Sequence, residues 1–437
     1  MTDTSVFHGK TAKYMTLGCK LNFSETATFA RTLYNMGVGE ANAGEAADIC
    51  LINTCSVTEM ADHKCRQQIH KMVRENPGAV VVVTGCYAQL KSEEIAQIPG
   101  VSLVLGSNEK AHLVEYLLQA MQAREADPIA FATSCEGHPA FHHAEKTKDI
   151  HSFQLSCSRG NRTRYFLKVQ DGCNYFCTYC TIPYARGFSR NPSIATLVEQ
   201  VKQAAAEGGK EVVITGVNIG DFGRTTGERF IDLVKALDEI EDIRRYRISS
   251  LSSLEPDLCS DELIDYCAHS RAFMPHFHIP LQSGSDTVLR LMHRRYDAAL
   301  FAHKVELIKE KMPHAFIGVD VMVGCRGETP DCFEECRSFI EGLDVTQLHV
   351  FPYSELLELS DQKTRAFYAR HAGTEQEVLL EKSASGKAMH GFTRNYVRVQ
   401  LPEHLSKPEY DNELLTVRIG DFNADQTAMM VEDIIQR

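Results

Sequence analysis

Three apolar runs in the first hundred residues each lead, a few residues on, to a cysteine in a turn. Residues 14–17 run into LGCKLN with Cys19, 49–52 into INTCSVT with Cys55, and 80–83 into TGCYAQ with Cys86. The steps between these cysteines, 36 and 31 residues, are each about one strand plus one crossover helix. Strands joined in that way are parallel and place their carboxyl ends along one edge, where open α/β sheets bind ligands. Three thiols distant in sequence are therefore expected together, in an open parallel α/β domain over residues 1–140.

The rhythm is lost from about residue 108, and 141–160, with paired histidines and a polar run, reads as a linker. From Arg164 a second series begins: RYFLKVQDG, EVVITGV, RYRISSLS, HFHIPLQS, FIGVDVMVG and LHVFPYS. Helix-length amphipathic stretches such as 193–207, 230–240 and 330–342 separate these runs. The repeat implies a (β/α)6 partial barrel over 161–372, with function at the carboxyl ends of its strands. Residues 373–437 change again, to YVRVQLP and LLTVRIGDF between polar turns, which suits a small antiparallel β-barrel.

The strongest chemical signal is QDGCNYFCTYCTIPYARG at residues 170–187, where Cys173, Cys177 and Cys180 form CxxxCxxC directly after the first barrel strand. Such spacing lets three thiolates in one loop grip one face of an iron–sulfur cubane, leaving the fourth iron without a protein ligand. An open coordination position is what a catalytic metal site needs. The competing reading is a structural zinc site with a distant fourth ligand, although paired CxxC units, or Cys with His, are the usual zinc pattern.

Composition agrees with metal or redox chemistry. The N-terminus MTDTSVFHGK has no apolar signal core, and no stretch approaches the roughly 18 apolar residues of a membrane span, so a cytoplasmic protein is expected. In that compartment thiols stay reduced, and 15 cysteines, an odd number, do not suggest a disulfide framework. The formal net charge of −12 repels a polyanion on average, so contact with nucleic acid must come from local basic patches. Basic residues gather at Arg159, Arg162, Arg164 and Lys168, at Arg186 and Arg190, at Arg244, Arg245 and Arg247, and at Arg290, Arg294 and Arg295. Such residues usually form a solvated face, and those flanking the cysteine loop are candidates for phosphates.

The 170–187 loop resembles the radical S-adenosylmethionine (SAM) signature, including the aromatic Tyr179 before its last cysteine. In that superfamily the open iron chelates the amino and carboxylate groups of SAM, and an electron splits it to give a 5′-deoxyadenosyl radical. With the LGC, NTC and TGC trio, and a C-terminal module that resembles the RNA-binding TRAM domain, the chain resembles the radical SAM methylthiotransferases along essentially its whole length. TLGCKLN at 16–22, the 170–187 loop and SSLEP at 252–256 are similar to the MtaB-like branch, which acts on N6-threonylcarbamoyladenosine beside the tRNA anticodon. The isopentenyladenosine branch tends to read GCQMN, and the ribosomal-protein branch GCPKN.

The resemblance implies addition of a methylthio group to carbon 2 of that adenosine and consumption of SAM as both methyl donor and radical source. It implies two 4Fe–4S clusters. Cys173, Cys177 and Cys180 would hold the SAM-binding one, and Cys19, Cys55 and Cys86 an auxiliary one whose free iron carries the sulfur. The expected partners are tRNA, a flavodoxin- or ferredoxin-like electron donor and a sulfur donor, with a monomeric enzyme away from membranes.

Other positions divide between function and packing. Gly216 and Asn218, past the second barrel strand, suit either the methionine moiety of SAM or a plain strand-to-helix turn. Gln282 and Ser283 resemble family positions lining the cavity; His278 beside them reads more simply as a satisfied structural histidine. Asp320 fits barrel packing or a polar cofactor contact. Cys332 and Cys336, four apart on a helix, read as ordinary burial with Cys325, as do Cys50, Cys65, Cys135, Cys157, Cys259 and Cys267. Phe392 and Tyr396, near Arg394 and Arg398, offer stacking faces to RNA.

Three departures from the family bear on the substrate and leave the six cysteines untouched. GCRGET replaces GFPGET at 324–329, the stretch after FPYS at 351–354 reads ELLELS, and Asn218 stands where this branch often has His. The alternatives are methylthio transfer to isopentenyladenosine tRNA or to a ribosomal protein side chain, and a non-catalytic two-cluster electron carrier. Such carriers generally ligate every iron and have no use for a barrel cavity.

Overall fold

The computed structural model describes residues 4–56, 58–135, 141–144, 150–158, 163–248, 254–351, 354–381 and 388–436. The chain divides into two compact units. The first is Met1–Arg159, Phe166–Pro192 and Arg224–Thr226; the second is Gly160–Tyr165, Ser193–Gly223 and Gly227–Arg437.

A parallel sheet frames the first unit: β1 (Thr11–Thr16), β2 (Gly39–Glu40), β3 (Ile49–Thr54), β4 (Val80–Gly85), β5 (Leu103–Leu105) and β6 (Phe141–His143), in the order β2-β1-β3-β4-β5-β6. β3 and β4 are buried at every position, as in sheets covered on both faces. Leu51 and Val82 pack with Phe29 and Leu33 of α1 (Lys20–Asn35) on one face. Ile52, Val81 and Val83 pack with Ile69 and Met72 of α2 (Glu59–Glu75) on the other. The register pairs Thr16 with Asn53 and Asn53 with Thr84, so β1, β3 and β4 end level. The cysteine turns start from that common line.

The expected linker is partly sheet, since β6 pairs in parallel with β5. Residues 150–158 lie beside β7 (Arg164–Lys168), with Lys168 N–H donating to Ser156 O at 2.9 Å and Ser158 N–H to Phe166 O at 3.0 Å. The rest of the linker, 145–149 and 159–160, lies outside the described residues, as do Arg159, Arg162 and the first two residues of SSLEP.

β7 runs from the second unit into the first. The second unit continues with β8 (Glu211–Thr215), β9 (Arg245–Ile248), β10 (His276–Gln282), β11 (Phe316–Met322) and β12 (Gln347–Phe351), so all six expected strands form. β8 pairs in parallel with β9, and β11 with both β10 and β12; an isolated parallel bridge pairs Tyr246 of β9 with Phe273, three residues before β10. Helices alternate with these strands. Ser193, Ser260, Asp297 and Thr329 start four of them by accepting a backbone N–H three residues on, which satisfies an otherwise orphaned donor.

The chain ends in a closed barrel of β13 (Glu375–Glu381), β14 (His390–Thr393), β15 (Arg398–Gln400), β16 (Leu414–Phe422) and β17 (Met429–Gln436), filled by Val378, Leu380, Val399, Val417 and Val431. The expected all-antiparallel barrel needs one correction: β15 and β17 are parallel, the other four ladders antiparallel. A closed ring of five strands cannot alternate direction all the way round, so one pair must run the same way.

This barrel is bound to its own unit by arginines. Arg245 donates to the Glu377 carboxylate at 2.9 Å and to Phe392 O at 3.0 Å, and Arg164 pairs with Glu381 at 2.8 Å. The stacked rings of Phe392 and Tyr396 lie under the guanidinium groups of Arg164 and Arg247, at 4.9 and 4.7 Å. Each of these two rings, read as a stacking face for RNA, therefore has a guanidinium from within the protein over it.

Candidate iron–sulfur and SAM site

Cys19 precedes α1, Cys55 follows β3, and Cys86 opens α3 (Cys86–Leu90) directly after β4. Two glycines let these turns close on one another. Gly18 has φ +100°, and a Cβ there would lie 2.7 Å from Cys55 Sγ; Gly85 has φ +105°, and a Cβ there would lie 2.2 Å from Thr54 O. Asn22 Nδ2 donates to Leu17 O and to Thr54 O, both at 2.9 Å. Thr54 Oγ1 donates to Thr84 O at 2.6 Å and accepts from Ala88 N–H at 3.3 Å. Side chains thus stitch the three cysteine turns into one surface.

Burial, aided by the neighbouring thiols Cys86 and Cys19, raises the Cys55 thiol to about 12; burial also pushes the Cys19 thiol up, against the attraction of Arg186 and with a smaller contribution from Cys86. Thiols that oppose one another's ionisation form a donor set for a soft cationic centre, because coordination deprotonates a thiol outright. Among the described residues, no three His, Cys, Asp or Glu side chains converge closely enough to hold one metal ion. Three thiols brought from three separate turns are a donor set of the kind an iron–sulfur cubane takes, which spreads its thiolates over separate irons.

Cys173, Cys177 and Cys180 sit in a loop closed at its base. Asp171 and Arg190 exchange backbone hydrogen bonds of 3.0 and 2.9 Å, and Cys173 N–H donates to Gly187 O at 3.0 Å. Phe176, with left-handed φ of +52°, turns the chain between the first two cysteines. Its ring meets Tyr184 and Phe188 edge-on, with centroids 6.0 and 5.9 Å apart, and all three rings are exposed. Thr181 Oγ1 donates to Ser56 O at 3.0 Å, joining the residue after Cys180 to the residue after Cys55. Both cysteine triplets belong to the first unit.

A buried lattice of charges also joins them. Glu25 of α1 pairs with Lys110 at 2.7 Å, Lys168 at 3.0 Å and Arg186 at 3.1 Å. Asp171 pairs with Lys168 at 2.7 Å, Arg186 at 3.0 Å and Arg190 at 3.2 Å. Burial opposes ionisation of Glu25, yet attraction to Lys110, Lys168 and Arg186 prevails and holds its carboxyl well below the ordinary range. Arg186 and Arg190, expected to meet phosphates, are committed here, at 1% and 5% exposure. Asn22, Glu25 and Lys110 were not read from the sequence. The signal was a carboxylate on the buried stripe of α1, Leu21, Asn22, Glu25, Phe29 and Leu33.

Of the remaining expected site residues, Tyr179 lies in the cysteine loop and the other five in the second unit. Gly216 follows β8, and buried Asn218 precedes the turn Ile219–Asp221. Gln282 ends β10 with φ +66°, a strained value for a non-glycine residue of the kind that clusters at functional sites. Ser283 is buried, its hydroxyl accepting Ser285 N–H at 3.1 Å. Asp320 in β11 stands 2.9 Å from His278 Nε2, so the two positions read separately form a pair. Glu255 pairs with Arg294; burial raises its carboxyl to about 7 against that attraction. Cys336 is buried, with Sγ accepting Gly284 N–H at 3.0 Å, whereas Cys325 and Cys332 are partly exposed.

Comparison with known proteins converges on the same chemistry. Residues 167–340 match the family model described as the radical SAM superfamily, and 11–106 match one described as uncharacterized protein family UPF0004. The chain is 34% identical over 459 residues to Threonylcarbamoyladenosine tRNA methylthiotransferase MtaB of Bacillus subtilis (strain 168), covering 97% of this chain and 98% of that protein. The chain belongs to the radical SAM methylthiotransferases. Family membership brings SAM and 4Fe–4S chemistry with it. Another relative, tRNA-2-methylthio-N(6)-dimethylallyladenosine synthase of Finegoldia magna (strain ATCC 29328 / DSM 20472 / WAL 2508), is 28% identical, covering 95% of this chain and 93% of that protein. In fold, this methylthiotransferase is similar to the radical SAM methyltransferase TsrM of Kitasatospora setae, solved with tryptophan substrate and a SAM analogue. The TM-score is 0.57 at 14% identity, covering 97% of this chain and 85% of that chain.

Proposed function

We propose that this methylthiotransferase acts on carbon 2 of N6-threonylcarbamoyladenosine beside the tRNA anticodon, with one 4Fe–4S cluster on each cysteine triplet. The observation that carries this reading is the presence of both triplets in one unit, tied by Thr181 to Ser56 and by Arg186 to Asn22 at 2.5 Å. When bound, the clusters and SAM supply reductive cleavage of SAM and the sulfur for transfer. The chain's own part is to fix two three-thiol cradles at a set separation, which meets the proximity demand of moving a group between them. Tyr179, Gly216, Asn218, Gln282, Ser283 and Asp320 are assigned to SAM. A flavodoxin- or ferredoxin-like protein supplies electrons, and a separate donor supplies sulfur. No helix among the described residues is long and apolar enough to cross a membrane, and we place the enzyme in the cytoplasm.

Anaerobically reconstituted protein, given SAM, dithionite and tRNA bearing threonylcarbamoyladenosine, is expected to yield 5′-deoxyadenosine and a methylthio mass increment on that nucleoside. An increment on isopentenyladenosine or on a ribosomal protein instead would reassign the substrate, and absence of 5′-deoxyadenosine would favour an electron carrier. The exposed rings of Phe176, Tyr184 and Phe188 are the stacking surface for unpaired bases. Base–aromatic stacking is worth about 1–3 kcal/mol per base. The triple alanine variant is expected to raise KM for tRNA about tenfold or more, with iron content unchanged; an unaltered KM removes the rings from the interface.

A further inference from the structure

Among the described residues, the ion pairs of the first unit's buried lattice set two carboxylates, Glu25 and Asp171, against four cations, Lys110, Lys168, Arg186 and Arg190, an excess of two positive charges. An uncompensated buried charge is costly unless an anion lies against it. The amino-terminal thiols lie within electrostatic reach of Arg186, and hydrogen bonds connect it to their turns. Its second guanidinium nitrogen donates to Asn22 Oδ1 at 2.5 Å, and the amide of that same Asn22 donates to Leu17 O and Thr54 O, the carbonyls leading into Cys19 and Cys55. Arg186 also lies within electrostatic reach of Cys19 and Cys86. Its position is set by carboxylates on two separate segments, and arginine keeps its charge at any working pH.

We propose that Arg186 is the counter-charge of the Cys19, Cys55 and Cys86 thiolates, raising the reduction potential of the cluster they hold. This rests on the reading that the triplet binds a 4Fe–4S cluster. Net charge and hydrogen bonding around a cluster set its potential, and a fixed cation favours the form carrying one more electron. Because Arg186 stands six residues after Cys180 in the signature loop, the same side chain that tunes the amino-terminal cluster is positioned by the segment holding the other one. Lysine at 186 keeps the charge and loses the planar fork; methionine loses both.

The test uses the full-length chain with Cys173, Cys177 and Cys180 replaced by alanine, reconstituted anaerobically so that only the amino-terminal triplet holds iron. The midpoint is followed by electron paramagnetic resonance during dithionite titration. At the potential where the parent is half reduced, Arg186→Met is expected to lower the reduced-to-oxidised ratio about tenfold, a shift of about 59 mV for one electron. Arg186→Lys is expected to stay within about threefold of the parent, and Glu25→Gln, which removes a neighbouring negative charge, to shift the ratio the opposite way. The inference is overturned if Arg186→Met binds its iron and titrates like Arg186→Lys. Should Arg186→Met fail to bind iron, the sign for Glu25→Gln decides: an upward shift supports the inference, and none, or a downward one, overturns it. A parent that binds no iron on this triplet refutes the two-cluster reading instead.

Discussion

Replacing Cys19, Cys55 and Cys86 together by alanine is expected to take the anaerobically reconstituted protein from about eight irons per chain to about four and to abolish methylthio transfer. SAM cleavage should survive in that variant, because the loop of Cys173, Cys177 and Cys180 closes through its own backbone bonds, Asp171 with Arg190 and Cys173 with Gly187. The reciprocal triple variant should also fall to about four irons and lose both SAM cleavage and transfer. Loss within each triplet should be all or none. Two thiolates on a cubane leave a second iron open, and the weakened cluster dissociates or degrades. Cys65 is the discriminating control. Its thiol donates to Cys55 O at 3.3 Å, close to the auxiliary triplet yet outside it, so Cys65→Ala should keep all its iron. Zinc in place of iron, or an unchanged iron count in either triple variant, contradicts the assignment.

The strand-end placement of Cys19, Cys55 and Cys86 was legible because buried parallel strands write themselves as unbroken apolar runs. VVVVTG of β4 is buried at all six positions, and the steps to the next cysteine measure one crossover each. β2 and β5, at two and three residues, are too short to carry a period, and β6 hides in a stretch rich in turn signals. In the last domain only the runs of β15 and β16 were read, while β13, β14 and β17 emerged from the structure. EQEVLLE of β13 lacks strict alternation, and the one parallel ladder follows from the number of strands in the ring, which no local pattern encodes. The lattice around Glu25 was not legible for a further reason. A carboxylate on an α1 stripe is stable only with partners 85, 143 and 161 residues away, so its burial is decided by contacts that local periodicity cannot register. The misreading of Arg186 and Arg190 as phosphate ligands has the same origin. Charge near a functional loop was taken as solvated, whereas Asp171 and Glu25 had already claimed it.

Removing the Glu25 carboxylate is expected to destabilise the first unit by about 3–5 kcal/mol, the range for breaking a buried ion pair by deleting one partner. Glu25→Ala leaves Lys168 and Arg186 sharing Asp171 as their carboxylate in the lattice, and removes the carboxylate with which Lys110 pairs. Hydrogen exchange in α1 and β7 is the measurement that isolates this unit, since a two-unit chain has no single unfolding free energy. At about 1.36 kcal/mol per tenfold, α1 amides should exchange at least about a hundredfold faster at neutral pH. The pH dependence fixes the cause. Because the Glu25 carboxyl is held below its ordinary value, its ionised form stabilises the fold above the unfolded-state pKa of about 4.3, and that contribution fades as pH falls through the lower folded-state value. The gap between wild type and Glu25→Ala should therefore be full at pH 7 and narrow on acidification below about pH 4. A gap that is small at pH 7, or that widens in acid, would mean that packing and not charge holds α1 in place.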